Sequence, residues 1–587
     1  MARRGADRVL VPPGGQGRPL RYVVLGLWVL TVDAWFQGPI VGGWAGPRAA
    51  VPLAVALLAL AGWEIARRPR PSGAADDCRF LLAIAIVALL ATLVRLPALA
   101  APASVISSDS AVAGIIAQEL AAGQRPAPIY APGFPYEGTL KPHLTALLSW
   151  LLPAGIPATY AWTSHLFHLL WTVAVMVLAR HTAGLPAAVA AGLFMALSPR
   201  FLVAFSLNNV GQYPEVNALG ALALVALCTR GALLAAGFLL GLAVWQQLLA
   251  VYFVAAAAVL VLATPALRRP RGIARMIGGF FCGSYPVWVW NAANGWATFD
   301  LFRRGGKQPV DRIAGLPDRI ERTLAVSFPK MFGLTDLGAG PDIALVLGAV
   351  LPALVLVMAV ARRTEIKERR GRSPALVALL LFITVVSVFA ASKFSHRGAQ
   401  RPRYLMPVYT SVAVAFGWGI ASLGRRSRVA AAVAAAAVLG ANIVGLAPWL
   451  QGRGEAEARD RALLAELDRL HVRTGYAGFW VAPKYTFLAE GRVVLSGELG
   501  PIVSWVHPGH AATVRDTGPD AYLVGTGDLA TAFEARLNEL ACPYQRSDVS
   551  GVAIFHDLCR RVSLEEVAGY ELPAGPPEEP EPLDNDP

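Results

Sequence analysis

Apolar runs of about 17–22 residues, each long enough to cross a bilayer as a helix, recur between residues 20 and 450. The pattern predicts spans near 20–37, 48–66, 79–100, 159–179, 184–203, 214–229, 231–247, 248–265, 276–293, 342–361, 374–391, 404–423 and 428–448. A backbone in lipid must satisfy its own hydrogen bonds, so runs this rich in Ala, Leu and Val mean a helical bundle, of about 13 helices. Segment 141–153, KPHLTALLSWLLP, is apolar but short, and Pro153 closes it. It is expected to lie half-buried on the outer face, not to span. The first long polar interruption is 102–144. Ser107-Ser108-Asp109 opens a short helix there, with Ser108 or Asp109 at the cap position. Val112, Ile115, Ile116 and Leu120 then recur at helical spacing, and Gly123 ends the helix. A Pro- and Tyr-rich crossing follows and ends in Glu137-Gly138-Thr139-Leu140-Lys141-Pro142-His143.

After residue 450 the pattern changes. ARDRALLAELDRL has the alternation of an amphipathic helix, and Gly475 to Trp480 reads as strand and turn. VVLSG, AYLVG and GVAIFH are short apolar runs bounded by turn signals. Residues 451–573 are therefore expected to form a small α/β domain. The last residues, 574–587, are acidic and Pro-rich, a composition that stays disordered; their Asp584-Asn585-Asp586 is a chance DxD.

Charge sets the topology. The chain has 52 Lys and Arg against 39 Asp and Glu, a net +13. With no aromatic-basic platform for nucleic acid, this surplus reads as basic loops on the cytoplasmic side. Residues 1–19 form a basic cytoplasmic arm, and no convincing signal-cleavage site follows it. The clusters at 67–70, 268–275, 362–372 and 425–428 fall on the same side, as do Arg180 and Arg230. Loops 101–144 and 294–341 and the C-terminal domain then lie outside, in a bacterial plasma membrane. Two basic regions break the rule. One is the loop with Arg303, Arg304, Lys307, Arg312, Arg319, Arg322 and Lys330; the other holds Lys393, His396, Arg397, Arg401 and Arg403. Positive charge on the outer side suits an anionic ligand, and the compact second cluster suits a phosphate. Of five cysteines, Cys78, Cys228 and Cys282 adjoin spans and read as apolar fillers. Cys542 and Cys559 flank an apparent hairpin in the C-terminal domain, where they either pair or stay reduced; no zinc spacing is present.

Polar groups also collect at the outer ends of spans: Asn208 to Glu215, Trp245-Gln246-Gln247, and Asn291 to Asn294. Polar side chains at membrane depth usually face a cavity. Gly237 and Gly241 have the spacing of close helix packing. The sequence has no P-loop, dinucleotide fingerprint, HExxH or GxSxG. What remains is Asp109 on an outer loop with basic and polar groups converging on it. That set suits transfer from a lipid phosphate, a base deprotonating the acceptor while cations stabilise the departing phosphate.

Three stretches carry a family resemblance. They are Asp109 with its helix and the following Tyr136 to Leu144 segment; Ser198-Pro199-Arg200-Phe201-Leu202 followed by Gly211-Gln212-Tyr213-Pro214-Glu215; and Arg403-Tyr404-Leu405-Met406-Pro407. Together they resemble the GT-C glycosyltransferases, the superfamily of protein O-mannosyltransferases and lipid A aminoarabinose transferases, and more closely their bacterial family 39-type relatives. The resemblance implies an inverting transferase using a polyprenyl-phosphate-linked sugar donor and an extracytoplasmic glycan, lipid or protein acceptor. It implies Asp109 as catalytic base and Glu215 as a second acid that orients the acceptor or a metal. Glu137, Lys141, His143, Lys393, His396, Arg397, Arg403 and Tyr404 would bind substrate and phosphate. The family's acidic pair after the first span is here a single carboxylate, and Gly138-Thr139-Leu140 separates Glu137 from Lys141. A divalent cation, Mg or Mn, is therefore an open expectation. The rival expectations are a transporter or flippase of lipid-linked saccharides, and an inactive scaffold.

Overall fold

The computed structural model describes residues 18–40, 74–124, 127–152, 154–208, 210–300, 315–338, 340–368, 373–392, 395, 402–499 and 506–567. The expected span 48–66, most of the N-terminal arm, the basic residues Arg303, Arg304, Lys307 and Arg312, and the tail 574–587 lie outside the described residues.

The membrane part is built from α1 (Arg18–Trp35), α2 (Ala74–Leu99), α3 (Ser108–Ala121), α4 (Leu140–Leu151), α5 (Ile156–Ala183), α6 (Leu185–Ala196), α7 (Arg200–Phe205) and α8 (Tyr213–Val225). It continues with α9 (Leu233–Gln246), α10 (Val251–Ala263), α11 (Pro270–Gly283), α12 (Tyr285–Ala293), α13 (Leu316–Arg322), α14 (Pro341–Ala361), α15 (Pro374–Ala391), α16 (Val408–Gly424) and α17 (Arg428–Gln451). Four of the described helical stretches are long and apolar enough to cross a membrane, and seven shorter apolar helices accompany them. Lipid-facing positions are apolar as well as the core: Leu81, Leu82, Ile86 and Leu89 of α2 stay exposed while Val87 and Ala91 are buried. α4 behaves as its length demands. Lys141, Pro142, Thr145 and Ala146 are buried and Leu147, Trp150 and Leu151 exposed, so the 12-residue helix packs by one face only.

Two features fix directions in the bundle. Arg180 at the end of α5 pairs with Asp77 at the start of α2 at 3.0 Å, so these helices run oppositely. α9 and α11 cross at backbone contact: a Cβ on Gly237 would strike the Met276 carbonyl, and one on Gly241 the Phe280 carbonyl. The contact rises along both helices together, so they run parallel and α10 carries the chain back between them. Buried Arg95, which the sequence pattern does not single out, ties α2 to the turn after α6. It donates to Ser206 Oγ at 2.8 Å, Ala196 O at 3.0 Å and Ser198 Oγ at 3.1 Å.

α17 runs through a break at Gly452 into α18 (Arg453–Arg469), which delivers the chain to the C-terminal domain. Its elements are β1 (Thr474–Ala477), α19 (Ala482–Leu488), β2 (Val494–Ser496), α20 (Pro508–Thr517), β3 (Ala521–Gly525), α21 (Asp528–Glu539), β4 (Gln545–Val549) and β5 (Val552–His556). The sheet order is β2-β1-β3-β5-β4, with β1 parallel to β2 and β3, and β5 antiparallel to β3 and β4. Side chains alternate between faces as a pleated strand requires. Tyr476, Tyr522 and Phe555 pack with Phe533 of α21, whereas Ala477, Leu523 and Ile554 join Leu463, Phe487 and residues of α3. The apolar strands match the expected runs. β4 (QRSDV) escapes them because an edge strand paired on one side needs no buried alternation. Cys542 and Cys559 are joined as a disulfide across the β4–β5 hairpin.

Candidate active site

Several of the polar groups singled out in the sequence meet near the start of α3, among them Asn208, Asp109, Glu137 and Arg403. The helix cap is Ser107, not Ser108 or Asp109: Ser107 Oγ accepts the Ser110 N–H while Ser110 Oγ accepts the Ser107 N–H. The helix begins one or two residues earlier than expected, which puts Ser107 at the position where a hydroxyl reaches N3. The consequence is chemical. Capping is done by serine, and Asp109 sits inside the first turn, where the helix N-terminus favours a negative charge. Its neighbours are fastened on both sides, Ser107 Oγ donating to Asn208 Oδ1 at 3.1 Å and Ser108 Oγ to Trp480 O at 2.6 Å.

Glu137 comes from a loop that is equally fixed. Glu137 O accepts the Ala131 N–H at 2.9 Å, and Tyr130 and Gly138 form a β-bridge. Gly138 N–H donates to Gln246 O at the end of α9, Trp245 Nε1 to Ile129 O, and Thr298 Oγ1 to Pro135 O after α12. A Cβ on Gly138 would strike the Trp245 carbonyl, so only glycine lets the loop dock here. The polar ends of α9 and α12 thus hold the loop that carries Glu137.

Arg403 and Tyr404 enter from the short helical turn Pro402–Leu405 before α16. The Arg403 guanidinium lies 5.8 Å from the Tyr404 ring centroid, and that ring meets Tyr213 edge-on at 6.3 Å. Asp109, Tyr136, Glu137, Arg403 and Tyr404 are each half-buried. Asp109 and Arg403 both act on the Glu137 carboxyl, so these half-buried side chains stand close together. Desolvation there pushes the Glu137 carboxyl up to about 8; the Asp109 charge adds to the rise and Arg403 opposes it. Tyr136 is likewise raised above its ordinary range, mainly by burial and then by Glu137. Of these two neighbouring carboxylates, Glu137 is the one whose surroundings favour the neutral acid.

Other predicted residues sit elsewhere. Glu215, in the first turn of α8, and Lys141 are wholly buried, close enough for the carboxylate to act on the ammonium. Lys141 donates to Ser164 Oγ at 2.5 Å and lies over the Tyr160 ring. His143 faces α1: its Nε2 accepts from Trp35 Nε1 at 2.7 Å, its Nδ1 contacts Thr139 O at 2.6 Å, and Trp35 and Phe36 meet its ring edge-on. Lys393, His396 and Arg397 lie outside the described residues. Tyr136 and Tyr213, given no role from sequence alone, belong to the group around Arg403; only their adjacency to Glu137 and Glu215 signalled them. Among the described residues, a three-donor group able to hold a metal is Glu119, His507 and His510, on the face between α3 and α20. The spacing of the two histidines was its only trace in the sequence.

A helical bundle followed by a small mixed-sheet domain is a fold that this chain shares with a solved structure of low sequence identity. Among solved structures, ArnT from Cupriavidus metallidurans, bound to undecaprenyl phosphate, is similar over 84% of this chain and 99% of its own, with 15% identity and a TM-score of 0.53. The Archaeoglobus fulgidus oligosaccharyltransferase in complex with Zn and sulfate aligns over 81% of this chain and 73% of its own, at 12% identity and a TM-score of 0.46. The same organism's AglB with an inhibitory peptide and a dolichol-phosphate gives 81%, 74%, 12% and 0.43. No family model matches the chain, and no curated protein sequence matches it.

Proposed function

We propose that the protein is a membrane glycosyltransferase that moves a sugar from a polyprenyl-phosphate donor to an extracytoplasmic acceptor, with inversion. The observation that carries this reading is that Asp109 and Arg403 both act on the half-buried Glu137 carboxyl, which gathers two carboxylates and a guanidinium at one place. Asp109 takes the proton of the acceptor hydroxyl. The acceptor oxygen then bonds to the anomeric carbon as the bond to the phosphate oxygen breaks, and the electron pair leaves with the polyprenyl phosphate. Arg403, with Lys393, His396 and Arg397 beside it in sequence, meets that phosphate; a planar guanidinium suits it. Glu215 and Lys141, buried together, position the floor of the site. The disulfide in the C-terminal domain and the basic loops at the opposite ends of the spans support an extracytoplasmic site in a bacterial plasma membrane.

Purified protein in detergent, offered radiolabelled polyprenyl-phosphate mannose, glucose or arabinose with a membrane extract, is expected to release label from the lipid onto an acceptor. Movement of intact lipid-linked sugar between leaflets of reconstituted vesicles, without release, would replace transfer by transport.

The raised Glu137 carboxyl gives a second test. It is neutral at pH 7 and ionises as pH rises through about 8, which places a second negative charge beside Asp109 and against the donor phosphate. Donor binding is expected to weaken above about pH 8 in the parental protein. Glu137→Gln, which mimics the neutral acid, should flatten that limb. The same alkaline limb in both proteins would assign it to another group.

A further inference from the structure

We propose that Glu119, His507 and His510 form a binding site for a divalent zinc-class cation that clamps the C-terminal domain to the helix carrying Asp109. The three side chains each offer one donor atom, and all three donors lie within 4.8 Å of one another. His507 Nε2 already stands 2.9 Å from Glu119 Oε1, and the two imidazole rings are 4.1 Å apart. A tetrahedral ion with bonds of about 2.0–2.1 Å holds its donors about 3.3 Å apart. One pair is thus near its final separation, and closing the rest needs about 1.5 Å of side-chain movement. Two imidazoles and one carboxylate suit zinc; hard Mg or Mn prefers oxygen donors and water. The donor set therefore differs from the Mg or Mn expected at the transferase site.

The site is also separate in space. Glu119 lies ten residues along α3 from Asp109, about 15 Å at helical rise. Its supports are rigid. Glu119 projects from α3, while His507 is the cap residue of α20 and His510 lies in its first turn. Beside them α3 is already packed on α19 of the same domain: Gln118 Nε2 donates to Phe487 O at 2.6 Å, and Gly114 fits against the Phe487 ring. Side-chain exposures of 13% for His507 and 23% for Glu119 leave an entry path and room for a water in the fourth position. Binding takes the Nε2 lone pair of His507, so the ring changes tautomer: Nε2 gives up the proton it shares with Glu119 and Nδ1 takes one up. The 3.3 Å bond that Nδ1 accepts from the His510 N–H is given up in exchange.

The inference does not rest on the transferase reading, and its test needs no substrate. The full chain, purified in detergent without a histidine tag and stripped with chelator, is titrated with zinc and followed by metal analysis and thermal unfolding. One zinc per chain is expected, with a rise of several degrees in melting temperature that magnesium does not reproduce. His510→Ala should lose the bound zinc and the rise, while melting like the stripped parental protein. Glu119→Gln should weaken zinc binding about 10–100-fold, and it serves if His510→Ala fails to fold. An unchanged zinc response in these variants, or no zinc retained by the parental protein, overturns the proposal and leaves the Glu119–His507 contact as an ion pair alone.

Discussion

Asp109→Asn is expected to lower sugar transfer by about 10²–10⁴-fold, the range set by removing a general base, while leaving donor binding and melting temperature near those of the parental protein. The expectation of an undisturbed fold rests on the caps. Ser107 and Ser110 close the start of α3 by themselves, and Ser108 fastens it to Trp480. An amide at position 109 keeps the size of the side chain while removing its charge and its basicity. Turnover measured with saturating donor, beside a direct donor-binding measurement, separates the two effects. A variant that transfers sugar at the parental rate would remove Asp109 from the chemistry. One that melts far lower would make it a structural residue.

The second large effect is structural. Gly237→Leu together with Gly241→Leu is expected to prevent the bundle from forming its α9–α11 crossing. Each new side chain would start inside a carbonyl of the facing helix, at Met276 and Phe280, and Gly279 and Gly283 of α11 meet α9 backbone in the same way. Backbone cannot move aside as a flexible side chain can. Overpacking costs about 1–3 kcal/mol per site when neighbours can adjust, and here neither helix can. Because the end of α9 also holds the Glu137 loop through Gly138 and Gln246, the single variant Gly241→Leu should lose transfer activity along with melting temperature. Monodisperse, fully active protein from the double variant would show that the helices can separate without cost.

Much of the fold was legible because lipid imposes a one-dimensional code: length and apolarity mark spans, and Arg and Lys mark their ends. The shortness of the helix in segment 141–153, which ends at Leu151, was legible from Pro153. The α3 stripe Val112, Ile115, Ile116 and Leu120 is buried as its spacing required. Arg95 was not legible, since its partners Ser198 and Ser206 lie about a hundred residues away, and no local pattern announces a buried cation that another turn will satisfy. Strand β4 was hidden for the opposite reason: an edge needs little burial, so its sequence carries little signal.

The candidate site divides the same way. The sequence by itself marked Asp109, Glu137 and Arg403 as charged groups between apolar runs, because most charge is kept out of the spans on either side. It also determined the small mixed-sheet domain, whose alternating runs can bury only one face each. Only the tertiary structure decided which of those groups meet. Packing between distant helix ends joined Glu137 and Arg403 to Asp109 and turned His143 toward Trp35. It also buried Lys141 beside Glu215 and set Glu119 against two histidines nearly four hundred residues away. Such pairings depend on the relative rotation and depth of helices, which side-chain packing sets and hydropathy along the chain does not encode.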